Sequence, residues 1–172
     1  ISKLRWGLRS ESEKQRRDVL AILKVLQGEL DYEYIYHWAA EFGLASIVQA
    51  LAVDAGVQQL ADSQWASSVY PVAQQAFISA RSLGRAVEAE NGEAIARGNF
   101  YILSQHNQTQ VFTITDKLDG RLVAQFDGNQ QVLHSQPSSH DRLQWREIAI
   151  RVRQLSKALV ESSQATEQQN EL

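Results

Sequence analysis

Four short runs in the second half of the chain are rich in β-branched and aromatic residues: Phe100-Tyr101-Ile102-Leu103, Val111-Phe112-Thr113-Ile114-Thr115, Leu122-Val123-Ala124-Gln125-Phe126 and Gln131-Val132-Leu133. Residues 104–110, 116–121 and 127–130 lie between them, with His106-Asn107-Gln108, Asp116-Lys117-Leu118-Asp119-Gly120 and Asp127-Gly128-Asn129 as the turn segments. A parallel crossover needs a dozen or more residues, so gaps this short admit only antiparallel hairpins. Asp-Gly is favoured where both turn residues need positive φ. The simplest result is a four-stranded up-and-down meander, one face of which must be covered by other elements.

Helical patterns flank the meander. Upstream, Trp65 to Val87 places Val69, Val72, Ala76 and Ala80 on one side, with Phe77 and Leu83 beside them. Pro71 interrupts this run, because an internal proline removes a hydrogen bond and clashes with the preceding turn. The helix is therefore also compatible with a start at Tyr70-Pro71, where a first-turn proline is tolerated. Glu88 to Ala94, with Asn91-Gly92, reads as a surface loop. Downstream, Pro137 ends the sheet and Ser138 or Ser139 caps a helix whose apolar stripe is Leu143, Ile148, Val152, Leu155 and Leu159. Residues 64–161 thus read as an α-β4-α module. Residues 162–172 are polar, rich in Gln and Glu, and expected to be a disordered tail.

The first third has a helical period instead. Val19, Leu20, Leu23 and Leu26 recur at helical spacing, Ile22 widens the stripe, and Lys14, Arg17, Asp18 and Lys24 fall largely on the other faces. Gly28 stops this helix. Asp31 caps the next one, with Glu33 in its first turn, and Gly43 can take the left-handed conformation that ends it. Its expected buried side is Ile35, Trp38, Ala39 and Phe42. A third helix, Ala45 to Asp54, turns Ile47, Val48 and Leu51 inward and closes at Gly56. The fold class is therefore α+β: a three-helix segment over residues 1–57, a boundary near Gln58 to Gln64, then the α-β4-α module. Ile1 to Leu8 alternates like an edge strand but also fits the end of a helix.

At 172 residues, 44% hydrophobic and 22% charged, the chain has globular composition. A net charge of -3 makes no general case for nucleic acid, although residues 1–30 carry seven Lys or Arg against four Asp or Glu. The chain has no cysteine, which excludes disulfides, thiolate metal sites and cysteine nucleophiles. No apolar run approaches the ~18–20 residues that span a bilayer, and no signal-peptide pattern opens the chain. A soluble, cytoplasmic protein without a membrane partner is expected. Ile1 begins without a turn or cap, so upstream sequence is expected to be missing.

The matched positions Lys3, Leu4, Trp6, Gln15, Asp18, Val19, Ile22, Leu23, Gln27, Gly28, Leu30, Asp31, Tyr34, Trp38, Ala39 and Gly43 carry a family resemblance. With the run SEKQRRDVLAILKVLQGELDYEYIYHWAAEFGL, residues 1–55 resemble the C-terminal part of bacterial nucleotidyltransferase-like proteins, whose segments follow the patterns AKLxW, RQxxDVxGIL and QGxxLDxxYLxxWAxxLGV. The likeness spans roughly a third of the chain. It implies descent from, or excision out of, such a fold. Family members hold magnesium and a nucleoside triphosphate on a Gly-Ser turn and paired aspartates upstream of this segment. Nothing from Ile1 onward supplies those, so Mg and a nucleoside triphosphate are implied only if an upstream catalytic domain exists.

Candidate chemistry inside the chain is sparse. His37, His106, His134 and His140 lack the spacing of a zinc site. Asp116, Asp119 and Asp127 are oxygen donors for a hard cation, but aspartate beside glycine is what turns require. Lys3, Arg5, Arg9, Lys14, Arg16 and Arg17 form a basic cluster around Trp6, able to meet phosphates and stack on a base. The alternative for them is a solvated helix face. Tyr34 and Trp38 share one helix face, expected to be core; Tyr32 and Tyr36 share another, expected to be exposed and suited to a protein interface. No Ser-His-Asp motif, P-loop, dinucleotide fingerprint or metalloprotease signature occurs.

The expected function is a non-catalytic binding or interaction module of nucleotidyltransferase-like origin, contacting a protein partner or a second copy. Two alternatives stay open: the acceptor-positioning part of an active nucleotidyltransferase, and a nucleic-acid-binding accessory protein using the basic face.

Overall fold

The computed structural model describes residues 13–170. Four helices come first: α1 Glu13–Val25, α2 Tyr32–Glu41, α3 Ala45–Asp54 and α4 Gln58–Ser82. Strands β1 Ala86–Glu88, β2 Glu93–Arg97, β3 Tyr101–His106, β4 Phe112–Asp116, β5 Leu122–Phe126 and β6 Val132–Ser135 follow, and helix α5 Ser139–Asn170 closes the order. No helix among the described residues is long and apolar enough to cross a membrane.

The α+β class and the antiparallel meander agree with the sequence reading, but the sheet has six strands rather than four, paired in simple chain order. The two additional strands are AVE and EAIAR: Ala86 and Val87 fall in the expected helix, and Glu88, Glu93 and Ala94 in the expected loop. Alanine and glutamate are poor strand formers, so their extended backbone is set by pairing: Ala96 lies opposite Leu103, and Ala86 opposite Ala96. One cross-strand row runs Ala86, Ala96, Leu103, Ile114, Ala124, Ser135 over the face that the helices cover. Its members at Ala96, Leu103, Ile114 and Ala124 are buried.

Helix α4 begins at Gln58 and runs unbroken through Pro71 to Ser82, correcting the starts expected at Trp65 or Tyr70. An interior proline costs ~3 kcal/mol. Pro71 is exposed, while Trp65, Val69 and Phe77 on the same helix are buried. Each contributes roughly 1.5–3 kcal/mol of burial, enough to hold the helix together across the break. The expected boundary near residues 58–64 falls inside the first two turns of α4. α5 likewise continues to Asn170, through a segment whose polarity pointed to disorder.

Two cores result. The larger lies between the sheet and helices α4 and α5, around Trp65, Phe77, Phe112, Ile114, Phe126 and Trp145. The smaller joins α1–α3 to the start of α4 around Leu23, Tyr32, Tyr36, Leu44, Leu51 and Val57. Gly43 (φ 69°) and Gly56 (φ 72°) end α2 and α3 in the left-handed conformation, as expected. Asp31 caps α2 through Oδ1, which accepts the Tyr34 N–H at 3.0 Å.

The face of α2 that enters the core is only partly the expected one: Ala39 is buried and Ile35 half-buried as expected, but Trp38 and Phe42 are exposed. Tyr32 and Tyr36 are 1% and 5% exposed, whereas Tyr34 and Trp38 are 60% and 37% exposed. Both sides of this helix are aromatic, so periodicity cannot choose between them. Partners for the phenols decide it: the Tyr32 hydroxyl donates to the Gln27 carbonyl at 2.6 Å, and the Tyr36 hydroxyl to Gln58 Oε1 at 3.2 Å. A buried Tyr32–Tyr36 pair cannot form the exposed interface expected of it.

Candidate functional site

The C-terminal half of α4, the first turns of α5 and the β2–β3 hairpin enclose a cleft of about 310 Å³. Its existence follows from side-chain size. Ala76 and Ala80, four residues apart on α4, and Ala96 on β2 put methyl groups where larger side chains would fill the gap. The opposite wall is Trp145, Ile148, Val152 and Leu155, spaced along one side of α5. Ile148, Val152 and Leu155 belong to the expected stripe; the buried Trp145 replaces Leu143 at its start, and Leu143, Leu155 and Leu159 are exposed. Tyr101 and Leu103 come from β3, and the Tyr101 ring lies tilted against Trp145 with centroids 5.1 Å apart. The indole N–H of Trp145 is buried and has no hydrogen-bond partner among the described residues.

Three arginines stand at the mouth. Arg85, Arg97 and Arg151 line the cleft and are exposed. Arg85 is placed by the end of α4: its N–H reaches back to the Ala80 carbonyl at 2.8 Å, and the Gly84 N–H to Arg81 at 3.0 Å. This is the paired hydrogen bonding of a Schellman cap, and it needs Gly84 at φ 67°. Replacing Gly84 with alanine should cost about 1–2 kcal/mol, read as a lower urea midpoint with unchanged slope. Arg97 ends β2, where the Gly98 N–H bonds the Tyr101 carbonyl at 2.9 Å. Lys117 adds a fourth cation nearby, its Nζ donating to the Gly98 carbonyl at 3.1 Å.

These charges meet little compensation. No Asp or Glu lines the cleft. Arg85 and Arg97 have no carboxylate partner among the described residues, and Arg151 has only a 4.0 Å approach to Glu147.

Behind the floor lies a buried polar network that fixes Tyr101. Its hydroxyl donates to Asp141 Oδ1 at 2.6 Å, while Asp141 Oδ2 accepts from Arg121 and, at 2.9 Å, from the Ser138 N–H. The Asp141 N–H in turn bonds Ser138 Oγ at 3.0 Å, a reciprocal cap in which Ser138 starts α5. Burial foremost, and then the facing Asp141 carboxylate, push the Tyr101 phenol far above its ordinary range. It is a neutral donor at any physiological pH.

No histidine lines the cleft, and the Tyr101 hydroxyl is engaged by the buried Asp141 carboxylate at 2.6 Å. No protein-family model, curated protein or solved structure matches the chain.

Lys3, Arg5, Trp6 and Arg9 lie outside the described residues. Lys14 and Arg17 are exposed on α1, and Arg16 pairs with Asp54 at 3.0 Å, joining α1 to the end of α3. Asp116 and Asp127 serve their turns: Asp116 Oδ1 accepts the Leu118 N–H at 2.8 Å, and Asp127 Oδ1 the Asn129 N–H at 2.8 Å. His106 Nδ1 accepts the Thr109 N–H at 3.3 Å, and His134 Nε2 lies 3.3 Å from the Leu122 carbonyl. Among the described residues, no group of three or more His, Cys, Asp or Glu is placed to hold a metal ion. Sequence reasoning missed the cleft; the recurrence of alanine at 76 and 80 opposite the α5 stripe was its one visible sign.

Proposed function

We propose that this chain is a non-catalytic binding module whose ligand enters the cleft between α4, α5 and the β2–β3 hairpin. The observation that carries this reading is an apolar cleft of about 310 Å³ walled by Ala76, Ala80, Ala96, Ile148 and Val152. Cores are ordinarily filled to crystal-like density, so a space of this size beside a well-packed core is in the range of small-ligand sites. At ~30 Å³ for each water-sized unit, it holds about ten heavy atoms. The motif across residues 1–55 supports descent of the α1–α3 segment from a nucleotidyltransferase-like fold, in which that segment is a supporting add-on.

An eight-carbon probe matches the volume. Titration with octanoate, 1-octanol and octylammonium, followed by calorimetry and amide chemical shifts, should give saturable binding by at least one of them. The shifts should centre on α4 residues 76–83 and on Trp145 to Leu155. Filling the space by Ala80→Phe should abolish binding while circular dichroism and the thermal transition stay near wild type. If no octyl probe saturates, or if binding survives Ala80→Phe, the cleft is not a ligand site.

A further inference from the structure

Resting on that reading, we infer that the cleft selects an amphipathic anion: a carboxylate or phosphate head held by Arg85, Arg97 and Arg151 on an apolar body lodged against Trp145. The two halves of the argument are independent. Apolar walls reward a hydrocarbon or aromatic body but say nothing about charge. The mouth supplies the charge, and its asymmetry is complete, with three guanidinium groups and no acidic residue among the lining side chains.

An arginine on a folded surface ordinarily finds a carboxylate or lies on solvent over polar neighbours. Arg85 and Arg97 are exposed, yet both border an apolar cleft and have no carboxylate partner among the described residues. They are placed by rigid backbone, one directly after the α4 cap and one at the end of a paired strand, so little rotational freedom of the backbone is lost on meeting a ligand. Guanidinium presents paired N–H donors that match the two oxygens of a carboxylate or a phosphate. Trp145, which lines the cleft, also carries a buried indole N–H with no hydrogen-bond partner among the described residues. A cationic amphiphile would find like charge at the entrance, and a fully polar anion would forgo the apolar walls.

The test compares probes of one length and different heads. In low salt, octanoate should bind about fivefold or more tighter than 1-octanol, with octylammonium weakest, since exposed ion pairs contribute modestly one at a time. The paired substitution Arg85→Ala/Arg97→Ala should bring octanoate to the affinity of 1-octanol while leaving 1-octanol unchanged. Raising the salt should do the same in the wild-type chain. Equal binding of octanoate and 1-octanol, or an octanoate preference that survives the paired substitution, overturns the inference while leaving the cleft as a neutral ligand site. Failure of every probe removes the underlying reading itself. Sedimentation with vesicles of phosphatidylglycerol, against vesicles of phosphatidylcholine, separates the sources of such a head. Capture on the anionic vesicles that is lost in the paired variant assigns a lipid headgroup; octanoate binding without capture assigns a free amphiphile.

Discussion

Replacing Arg142 with methionine should lower the unfolding free energy by about 3–5 kcal/mol, measured as a shift in the urea midpoint. Arg142 is 6% exposed and sits between two acids, donating from Nη1 to Glu33 and from Nη2 to Asp62 Oδ1 at 2.9 Å. Its guanidinium also lies 4.0 Å above the Tyr36 ring. Methionine keeps the volume but leaves both carboxylates without their cation in a partly dry site. Burial is the leading influence on both acids and outweighs the pull of Arg142, so each titrates above its ordinary value already. The sign follows: a carboxyl raised in the folded state favours folding below its unfolded pKa and costs stability as pH rises through the folded one. Removing Arg142 enlarges that cost. The deficit of Arg142→Met should therefore shrink toward acid pH, because the variant recovers as Glu33 and Asp62 take up protons. A deficit that is small at neutral pH, or independent of pH, would show that the arginine is not holding these acids.

Asp141→Ala should cost a similar ~3–5 kcal/mol, with the opposite origin for its pH dependence. The Asp141 side chain is fully buried and ties the Tyr101 hydroxyl, the Arg121 guanidinium and the Ser138 N–H together. Burial alone would raise this carboxyl, but hydrogen bonds from Tyr101, Ser138 and Arg121 and the Arg121 charge hold it below its ordinary value of 3.8. A depressed carboxyl contributes stability above its unfolded pKa and loses it as pH falls through the folded one. Below pH ~4 the wild type should lose this contribution and approach the variant, so thermal melts at successive pH values should converge from above. Asp141→Asn should fall between the two, since the amide still accepts one hydrogen bond but cannot pair with Arg121. If the wild-type and alanine melts stay parallel into acid, the carboxylate does not bear this load.

How far these features can be read from sequence depends on how local their causes are. The strands β3 to β6 were legible because each carries its own alternation and its own turn residues. β1 and β2 were not, because Ala86, Ala94 and Ala96 are extended only by virtue of the strand beside them. The caps at Asp31, Gly43 and Ser138 involve residues within a few positions of each other, and their sequence signals held. The buried face of α2 depended on Gln58 and Arg142, neither of which is near it in the chain. The cleft is harder still, being a space left by small side chains on separate elements. No run of residues spells out a void.

Neighbouring residues at the start of α5 face different company. Asp141 is anchored to the sheet through Tyr101 and Arg121, and Arg142 to the leading helices through Glu33 and Asp62. On α4, Ala61 belongs to one core and Trp65, a single turn later, to the other. Two rods thus run through both halves as shared girders. Loosening either half strips a wall from the other, so the chain should hold and melt as one cooperative piece rather than as a pair of beads on a tether.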